Sequence, residues 1–267
     1  MTRDLGALAA IVARKATEVE RLRCAGGALW AKAEAVGPAR DLVSALAGGA
    51  IIAEMKRRSP SGGSLRPELD PASLARDYAE GGASAVSVLT DGADFGGSLD
   101  DLAAVRDAVA LPLLRKDFVI DPLQIAEARV AGADWLLLIV RILDDTALED
   151  CLAATDRAGA HALVEVHDAD EARRAVAAGA ECVGVNNRDL RTLRSDLATF
   201  ATLRPLIPAG VTCVAESGVR EASDVARLVG EGADAVLVGE ALITAGSPRA
   251  ACAAFVSAAR SAVRATR

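Results

Sequence analysis

The feature of this chain that most constrains its fold is a repeat of short apolar runs, which begin 20 to 35 residues apart and are separated by helical patterns. The eight runs occupy residues 50–55, 85–89, 111–115, 135–140, 162–166, 182–186, 211–215 and 235–238. Most of them are continuously apolar, as strands are when helices cover both faces of a parallel sheet. Each repeat is long enough for one strand and one helix, which predicts an α/β fold.

A glycine signature stands immediately before five of the eight runs. A Gly-Ala pair ends the preceding helical pattern at each of Gly82, Gly132, Gly159, Gly179 and Gly232. Glycine adopts the left-handed conformation that closes many helices, so each pair predicts a helix end followed at once by a strand. Eight parallel strand–helix units predict a (β/α)8 TIM barrel over residues 49–267. A doubly wound open sheet is the alternative that chain order alone leaves open.

Residues 1–48 precede the first predicted strand and carry a helical pattern of their own. Apolar residues recur at helical spacing near the start of the chain, at Leu5, Leu8, Ile11 and Val12. Gly26-Gly27 interrupts the pattern, and Leu29-Trp30 resumes it. We therefore expect an N-terminal helical extension that packs on the barrel.

The balance of charge argues against several classes of partner. The chain has 30 basic and 37 acidic residues, a formal net charge of −7, and its basic residues are scattered. Such a distribution does not predict nucleic-acid binding. No run approaches the roughly 20 apolar residues of a membrane span, and Met1-Thr2-Arg3-Asp4 lacks the start of a signal peptide. We expect a cytoplasmic protein without a membrane or nucleic-acid partner.

Cysteine and histidine are too dispersed to suggest a metal site. The five cysteines lie far apart without a Cys-x-x-Cys pair, and we interpret them as buried free thiols: Cys24, Cys151, Cys182, Cys213 and Cys252. The two histidines, His161 and His167, have no metal-ligand spacing to these cysteines. The sequence therefore predicts no metal.

Polar residues gather where the predicted strands end, which is where a TIM barrel places its active site. The residues are Glu54, Lys56, Lys116, Glu165, Asn186 and Glu216. Side chains alternate along a strand, so Glu54 and Lys56 face the same way and are expected to pair. One charged strand end is usually solvated. Six polar residues at one barrel mouth predict a catalytic site, because their burial without a function would be strongly unfavourable.

Glycines after the last two predicted strands indicate a phosphate site. Ser217-Gly218 follows strand 7, and Gly239-Glu240 follows strand 8 and precedes a helical stretch. Backbone amides of these two loops, with a short helix N-terminus, form the phosphate site of many TIM barrels. A tight turn is the alternative interpretation for either glycine alone.

The chain resembles the indole-3-glycerol-phosphate synthase family over nearly its whole length. The resemblance rests on these motifs, in the family's order: residues 52–61 (IAEMKRRSPS), 86–91 (VSVLTD), 114–118 (LRKDF), 132–134 (GAD) with 137–140 (LLIV), 165–167 (EVH), 184–190 (GVNNRDL) and 216–218 (ESG). The N-terminal extension also matches, and in the family it covers the barrel mouth. Two stretches depart from the pattern, Ser61-Gly62-Gly63 and residues 94–98 (DFGGS).

The resemblance implies closure of an indole ring, with loss of CO2 and water, from 1-(2-carboxyphenylamino)-1-deoxyribulose 5-phosphate. It implies that Lys116 is the general acid, that Glu165 is the general base, and that Lys56 holds the substrate carboxylate or phosphate. It further implies that these groups are oriented by five polar residues, Glu54, Asn186, Arg188, Glu216 and Ser217. An anthranilate pocket is implied at Ser59, Phe118 and Phe95. The amides of Gly218, Gly239 and Glu240 are implied to bind the phosphate. No metal, nucleotide or other cofactor is implied.

The chemistry suits these residue types. Attack of an electron-rich ring on a ketone needs a proton for the developing alkoxide, and we expect a second ammonium and partial burial to lower the pKa of Lys116 for that purpose. One alternative is another phosphate-binding barrel, such as phosphoribosylanthranilate isomerase or a related sugar-phosphate isomerase. Those enzymes use an Asp/Cys or a paired-Asp acid–base couple, and the lysines on strands 1 and 3 of this chain argue against them. The other is a non-catalytic phosphate-binding barrel, which would be expected to have lost Lys116 or Glu165. The sequence does not indicate an oligomeric state or a docking partner among pathway enzymes.

Overall fold

The computed structural model describes residues 6, 8–60 and 62–266. Leu5, which was predicted to be helical, and Ser61, which belongs to a stretch that departs from the family pattern, lie outside the described residues. The extension contains three helices, α1 (Leu8–Arg23), α2 (Gly26–Ala35) and α3 (Leu42–Leu46). The predicted break is present, but α2 begins at Gly26 itself and the interruption falls on the two residues before it. Helices α1 and α2 pack against a barrel helix, α7 (Pro122–Val130). The domain boundary at residue 48 remains a prediction.

Eight parallel strands form one closed barrel, which confirms the predicted fold and rules out an open sheet. The strands are β1 (Ala50–Met55), β2 (Ala85–Leu89), β3 (Leu113–Lys116), β4 (Trp135–Ile139), β5 (His161–Val166), β6 (Cys182–Asn186), β7 (Thr212–Glu216) and β8 (Ala235–Val238). Each strand pairs with its neighbours in chain order, and β1 closes the ring by pairing Ala50 with Ala235 of β8.

Two strands lie slightly further along the chain than predicted. Strand β3 begins at Leu113 rather than at residue 111, because Pro112 lacks the N–H that a strand residue donates. Strand β7 runs to Glu216. Lys116 and Glu216 are therefore the last residues of their strands and do not lie in loops. Strand pairing in the barrel wall fixes the direction of their side chains.

The other helices surround the barrel: α4 (Pro71–Glu80), α5 (Gly92–Phe95), α6 (Leu99–Ala108), α8 (Asp145–Arg157), α9 (Ala169–Ala177), α10 (Ala198–Leu203), α11 (Ala222–Gly230), α12 (Glu240–Ile243) and α13 (Pro248–Thr266). A 3-10 turn (Arg204–Leu206) follows α10, and the short strands Arg58–Ser59 and Gly63–Ser64 pair in the loop after β1. All five signature glycines have positive φ, between +58° and +99°, as the sequence predicts. They therefore end the helices and let the next strand start at once.

The core has two layers, one between strands and helices and one inside the barrel. The inner layer includes Leu114, Trp135 and Leu237, and it also takes in Leu8 and Ile11 of α1 and Leu46 of α3. Leu46 precedes β1 and so lies at the amino end of the strands, whereas Leu8 lies near loop residues that follow β6, at the carboxyl end. The extension therefore contacts both ends of the barrel interior. The extension is thus part of the hydrophobic core.

The cysteines are free thiols, and four of the five are buried. The expectation of burial is wrong for Cys24, which is exposed in the short connection between α1 and α2. Among the described residues, no group of three or more His, Cys, Asp or Glu side chains is arranged to hold a metal ion. None of the described helices is both long and apolar enough to span a membrane.

Candidate active site

Five charged side chains meet at the carboxyl ends of the strands. The Lys116 ammonium lies 2.8 Å from Glu165 Oε2 and 2.9 Å from Glu216 Oε2, which belong to β5 and β7 across the barrel. On β1, Lys56 Nζ lies 2.5 Å from Glu54 Oε1, the pairing expected from strand alternation. The carboxylates are almost fully buried, whereas the side chains of Lys116 and Lys56 are 12% and 15% exposed. The two lysine side chains are therefore the more accessible members of the cluster.

The charge state of Lys116 differs from the sequence-based expectation. Burial lowers the pKa of Lys116, but the three surrounding glutamates outweigh burial and raise it well above its ordinary value. The expected depression of this pKa is therefore wrong. Lys56 does not act as the expected depressing charge, because its ammonium is paired with Glu54. At neutral pH Lys116 carries a proton.

The two glutamates that contact Lys116 differ from each other. Burial raises the pKa of Glu165, but Lys116 and His167 hold it well below its usual range. For Glu216, burial and the neighbouring Glu165 carboxylate exceed the effect of Lys116 and raise its pKa to about 7. Glu216 Oε1 is buried and has no hydrogen-bond partner among the described residues. The cluster thus holds one ionised carboxylate and one that titrates near neutrality.

Glycine at position 184 makes room for Glu216. A Cβ atom on Gly184 would lie 2.0 Å from Glu216 Oε1, a distance at which the two atoms would overlap. Gly184 belongs to β6, whose side chains would otherwise fill this part of the barrel. The position of the Glu216 carboxylate therefore depends on the absence of a side chain at Gly184.

The end of β6 supports the strained turn after β7. Ser217 and Gly218 both have left-handed backbones, with φ of +64° and +88°. The Asn187 amide Nδ2 donates to the carbonyls of Glu216 and Ser217, at 3.0 and 3.3 Å, and so stabilises a conformation that a serine rarely adopts. Sequence analysis missed this role of Asn187. Its neighbour Asn186 accepts a hydrogen bond at Oδ1 from the Arg188 amide, 3.0 Å away.

The predicted phosphate residues lie at the same mouth. A Cβ on Gly239 would lie 2.7 Å from Glu54 Oε1 and 3.0 Å from Lys56 Nζ, so the Gly239 backbone lies directly against that ion pair. Gly239 precedes α12, and Glu240 is the first residue of this helix, with its own side chain exposed. The Lys56 ammonium and the start of α12 are thus close enough to bind one anion together.

The residues predicted to form the aromatic pocket lie close to one another, and one of them packs against the extension. The rings of Phe95 and Phe118 lie 6.2 Å apart, and Phe118 is buried in the same cluster as Leu8 and Ile11 of α1. Ser59 is buried, and its hydroxyl accepts a hydrogen bond from the Gly62 amide at 2.9 Å. Ser59 therefore shapes the loop after β1.

A cavity of about 640 Å³ opens beside the charged cluster, over the ends of β5 and β6. Asn186 and His167 line its wall, and Leu8 of α1 borders it from the extension. Four arginines also line it: Arg141, Arg188, Arg191 and Arg194. Three aspartates line the cavity as well, Asp168, Asp189 and Asp196, so its net positive charge is small. The cavity is large enough for a small phosphorylated molecule.

Sequence analysis also missed two buried cations next to the predicted site. Lys15 of α1 is 3% exposed at its side chain and lies 2.8 Å from Asp117 and 3.1 Å from Asp91. His167 is equally buried and lies between two glutamates. Neither contact leaves a local sequence signal, because lysine in an amphipathic helix and a single histidine are both common.

Comparison with known proteins agrees with this geometry. The family model of indole-3-glycerol phosphate synthase matches residues 8–255. The indole-3-glycerol phosphate synthase of Mycobacterium ulcerans is 56% identical over 230 residues, which cover 85% of each chain. That of Parafrankia sp. is 54% identical over 233 residues, covering 86% of this chain and 87% of the relative.

Solved structures share the fold at much lower identity. The 3-hexulose-6-phosphate synthase of Salmonella typhimurium has a TM-score of 0.65 at 15% identity, over 79% of this chain and 98% of that one. Thiamine phosphate pyrophosphorylase from Pyrococcus furiosus has a TM-score of 0.62 at 18% identity, over 83% of this chain and 99% of that one. These structures support the barrel alone, whereas the family model and the sequence relatives identify the enzyme class. The chain belongs to the indole-3-glycerol phosphate synthase family and is a lyase of tryptophan biosynthesis.

Proposed function

We propose that the charged cluster at the barrel mouth closes the indole ring of 1-(2-carboxyphenylamino)-1-deoxyribulose 5-phosphate, with Lys116 as the general acid and Glu165 as the general base. The observation that carries this proposal is the position of Lys116, whose ammonium lies 2.8 Å from Glu165 Oε2 and whose side chain is 12% exposed. An acid and a base in contact at an accessible site are what a reaction with several proton transfers needs.

In the first step, the ring carbon that bears the carboxylate attacks the ketone carbon, and the ketone oxygen takes the proton of Lys116. The raised pKa of Lys116 keeps the acid loaded at neutral pH. The alkoxide that develops is a strong base in contact with the ammonium in this proposal, so it can take the proton. Loss of CO2 then leaves its electron pair in the ring and restores aromaticity.

Dehydration uses the other half of the cluster. The hydroxyl leaves as water with a proton from Lys56, and Glu165 takes the proton released from the new ring. When Lys116 has given up its proton, Glu165 loses its nearest positive charge and becomes more basic. Two protons are given and one is taken, so each turnover draws one net proton, which balances the loss of the carboxylate as CO2.

The remaining residues bind and orient the substrate in this proposal. The amides of Gly218, Gly239 and Glu240, with the Lys56 ammonium beside Gly239, hold the phosphate. Phe118, Phe95 and Ser59 border the anthranilate ring, and Arg188, Asn186, Glu54, Glu216 and Ser217 orient the reacting groups. We further propose that the protein works in the cytoplasm, as expected for biosynthesis from small phosphorylated precursors.

The assay is direct. Purified protein, without added metal, is incubated with the carboxyphenylamino substrate, and indole-3-glycerol phosphate and CO2 are measured. We expect equimolar formation of the two products and competitive inhibition by millimolar phosphate. Absence of product would refute the reaction, whereas product formation without phosphate competition would refute only the phosphate site.

A further inference from the structure

We propose that His167 is a positioning residue for Glu165: its imidazolium, anchored by Glu171, holds the Glu165 carboxylate in place and ionised. The inference rests on the proposed role of Glu165 as general base and extends it to a residue with no assigned role. It comes from the contacts of an otherwise unexplained buried histidine at the end of β5.

Glu165 and His167 lie two positions apart at the end of β5, so their side chains project to the same side. His167 Nε2 lies 3.2 Å from Glu165 Oε1, within ion-pair distance but without hydrogen-bond alignment. Glu165 Oε2 is the oxygen that contacts Lys116 at 2.8 Å. The two oxygens of the proposed base therefore face two different cations, one on each side, and the carboxylate has little freedom to rotate.

The opposite side of the imidazole is held by the first turn of α9. A single oxygen of Glu171, Oε2, accepts from the His167 backbone N–H at 2.8 Å and lies 3.0 Å from Nδ1. The other oxygen accepts from Arg141 Nε at 2.6 Å. Glu171 is thus fixed by Arg141 and in turn fixes both the backbone and the ring of His167.

The contacts define the charge of the ring. Both ring nitrogens face carboxylate oxygens, and a neutral imidazole carries a hydrogen on only one of them. The arrangement therefore favours the imidazolium. Burial lowers the pKa of His167, but the two glutamates outweigh it and raise the pKa to about 9. Among the described residues, the other charged groups around this unit are Arg141 and Asp168 on the solvent side, and Lys116, Glu216 and Glu54 on the barrel side.

This arrangement matters during turnover. Once Lys116 has released its proton, His167 is the cation that still contacts Glu165 among the residues that the structure describes. It keeps the carboxylate directed at the substrate while Glu165 becomes basic enough to accept a proton. A protonated His167 also prevents Glu165 from taking up a proton from solvent before the ring has closed.

The test compares variants of the chain's two histidines, which stand at opposite ends of β5. We expect His167→Gln to lower kcat on the order of 10-fold with KM nearly unchanged, since coupled neighbouring groups typically contribute effects of this size. The acidic limb of the pH profile of kcat should move to higher pH, because Glu165 loses a positive neighbour. In the wild type, loss of the His167 proton should lower kcat near pH 9, and this alkaline limb should be absent from His167→Gln. The matched control His161→Gln should keep the wild-type profile.

A merely structural histidine would give another result: His167→Gln would lower kcat while both pH limbs stayed in place, and the proposal would be overturned. If His167→Gln does not fold, Glu171→Gln replaces it, and the alkaline limb should then move to lower pH; an unchanged limb would also overturn the proposal. Glu165→Gln separates the two levels of inference. Near-normal kcat in that variant would refute the base itself, whereas an inactive Glu165→Gln with an unaltered His167→Gln profile would refute the positioning role alone.

A second measurement is independent of activity. Because the chain has only two histidines, NMR of protein labelled with 15N-histidine should resolve both imidazoles. We expect both nitrogens of one ring to be protonated at pH 7.5 in the wild type and this signal to be absent in His167→Gln. A neutral tautomer for His167 at this pH would contradict the proposal.

Discussion

Two buried lysines occupy opposite sides of the end of β3, and their surroundings differ. Lys116 contacts Glu165 and Glu216, while Lys15 of α1 contacts Asp117, the next residue after Lys116. Each ammonium lies within 3.1 Å of two buried carboxylates. By residue type and burial alone the two clusters look alike.

The difference lies in the partners of the carboxylates. One oxygen of Asp117 accepts from the Phe118 amide at 2.8 Å and the other from the Thr90 hydroxyl at 2.6 Å, and Arg115 adds an ion pair at 3.0 Å. Although burial opposes ionisation, Arg115 and Lys15 lower the pKa of Asp117 to about 2. In the other cluster, Glu216 has an oxygen without a hydrogen-bond partner in the described part of the chain, and its pKa is raised to about 7.

The comparison shows how the same chemistry serves structure or catalysis. The Asp117 carboxylate in the Lys15 cluster has both oxygens taken by cations and hydrogen bonds, so the cluster can fasten α1 to the barrel but has little capacity left for a substrate. The Lys116 cluster keeps an unsatisfied oxygen, a titratable carboxylate and a lysine side chain that is 12% exposed. Lack of saturation is therefore the feature that distinguishes the proposed active site from the structural ion pairs around it.

The largest effect should come from the unsaturated cluster. Lys116→Ala should lower kcat on the order of 10²-fold or more with little change in KM, since a positioned proton donor contributes about 10² to 10⁴ to the rate. Steady-state kinetics at saturating substrate measures this. A near-normal kcat would remove Lys116 from the chemistry.

The saturated cluster should respond in stability. Lys15→Met should lower the free energy of unfolding by about 3 kcal/mol, because it leaves buried carboxylates without their ammonium partner. Its effect on kcat should stay below about tenfold. Lys32→Met, at an exposed position of α2, is the matched control and should change stability by less than about 0.5 kcal/mol. Equal denaturation midpoints in urea for the two variants would contradict the structural role of Lys15.

Lys56 should separate binding from chemistry. Lys56→Ala removes a charge beside Gly239 and should raise KM about 10-fold as well as lower kcat, because the bound anion loses a partner in the ground state and in the transition state. A lower kcat with an unchanged KM would place Lys56 outside the anion site.

The smallest perturbation concerns the space for Glu216. Gly184→Ala adds one methyl group that would overlap Glu216 Oε1, so the carboxylate must move, and kcat should fall by roughly tenfold or less. Gly210→Ala is the control, because a Cβ there would meet no atom of the described residues within 4 Å. If both variants keep wild-type kcat, the exact position of Glu216 is unimportant.

The barrel fold could be predicted from the sequence because local sequence features determine its strands and helix ends. Apolar runs and left-handed glycines such as Gly132 report on strands and helix ends without knowledge of distant residues. The same alternation rule placed Glu54 and Lys56 together. These features depend on positions that are close in the chain.

The misses depend on contacts between distant segments. Lys15 acquires its role from Asp91 and Asp117, which only the closed barrel brings to α1. The direction of the Lys116 pKa shift depends on whether carboxylates or Lys56 stand nearest, and the three-dimensional packing decides that in favour of the carboxylates. Residue types at strand ends identify the site, but distances determine its charge states.

The most direct test of the central claim is the single-turnover rate of Lys116→Arg. Arginine keeps the positive charge between Glu165 and Glu216 but does not give up a proton in the physiological range. If Lys116 delivers the proton, Lys116→Arg should lose on the order of 10² in rate, like Lys116→Ala, while retaining substrate binding. A rate close to that of the wild type would show that charge alone suffices and would contradict the assignment of Lys116 as the general acid.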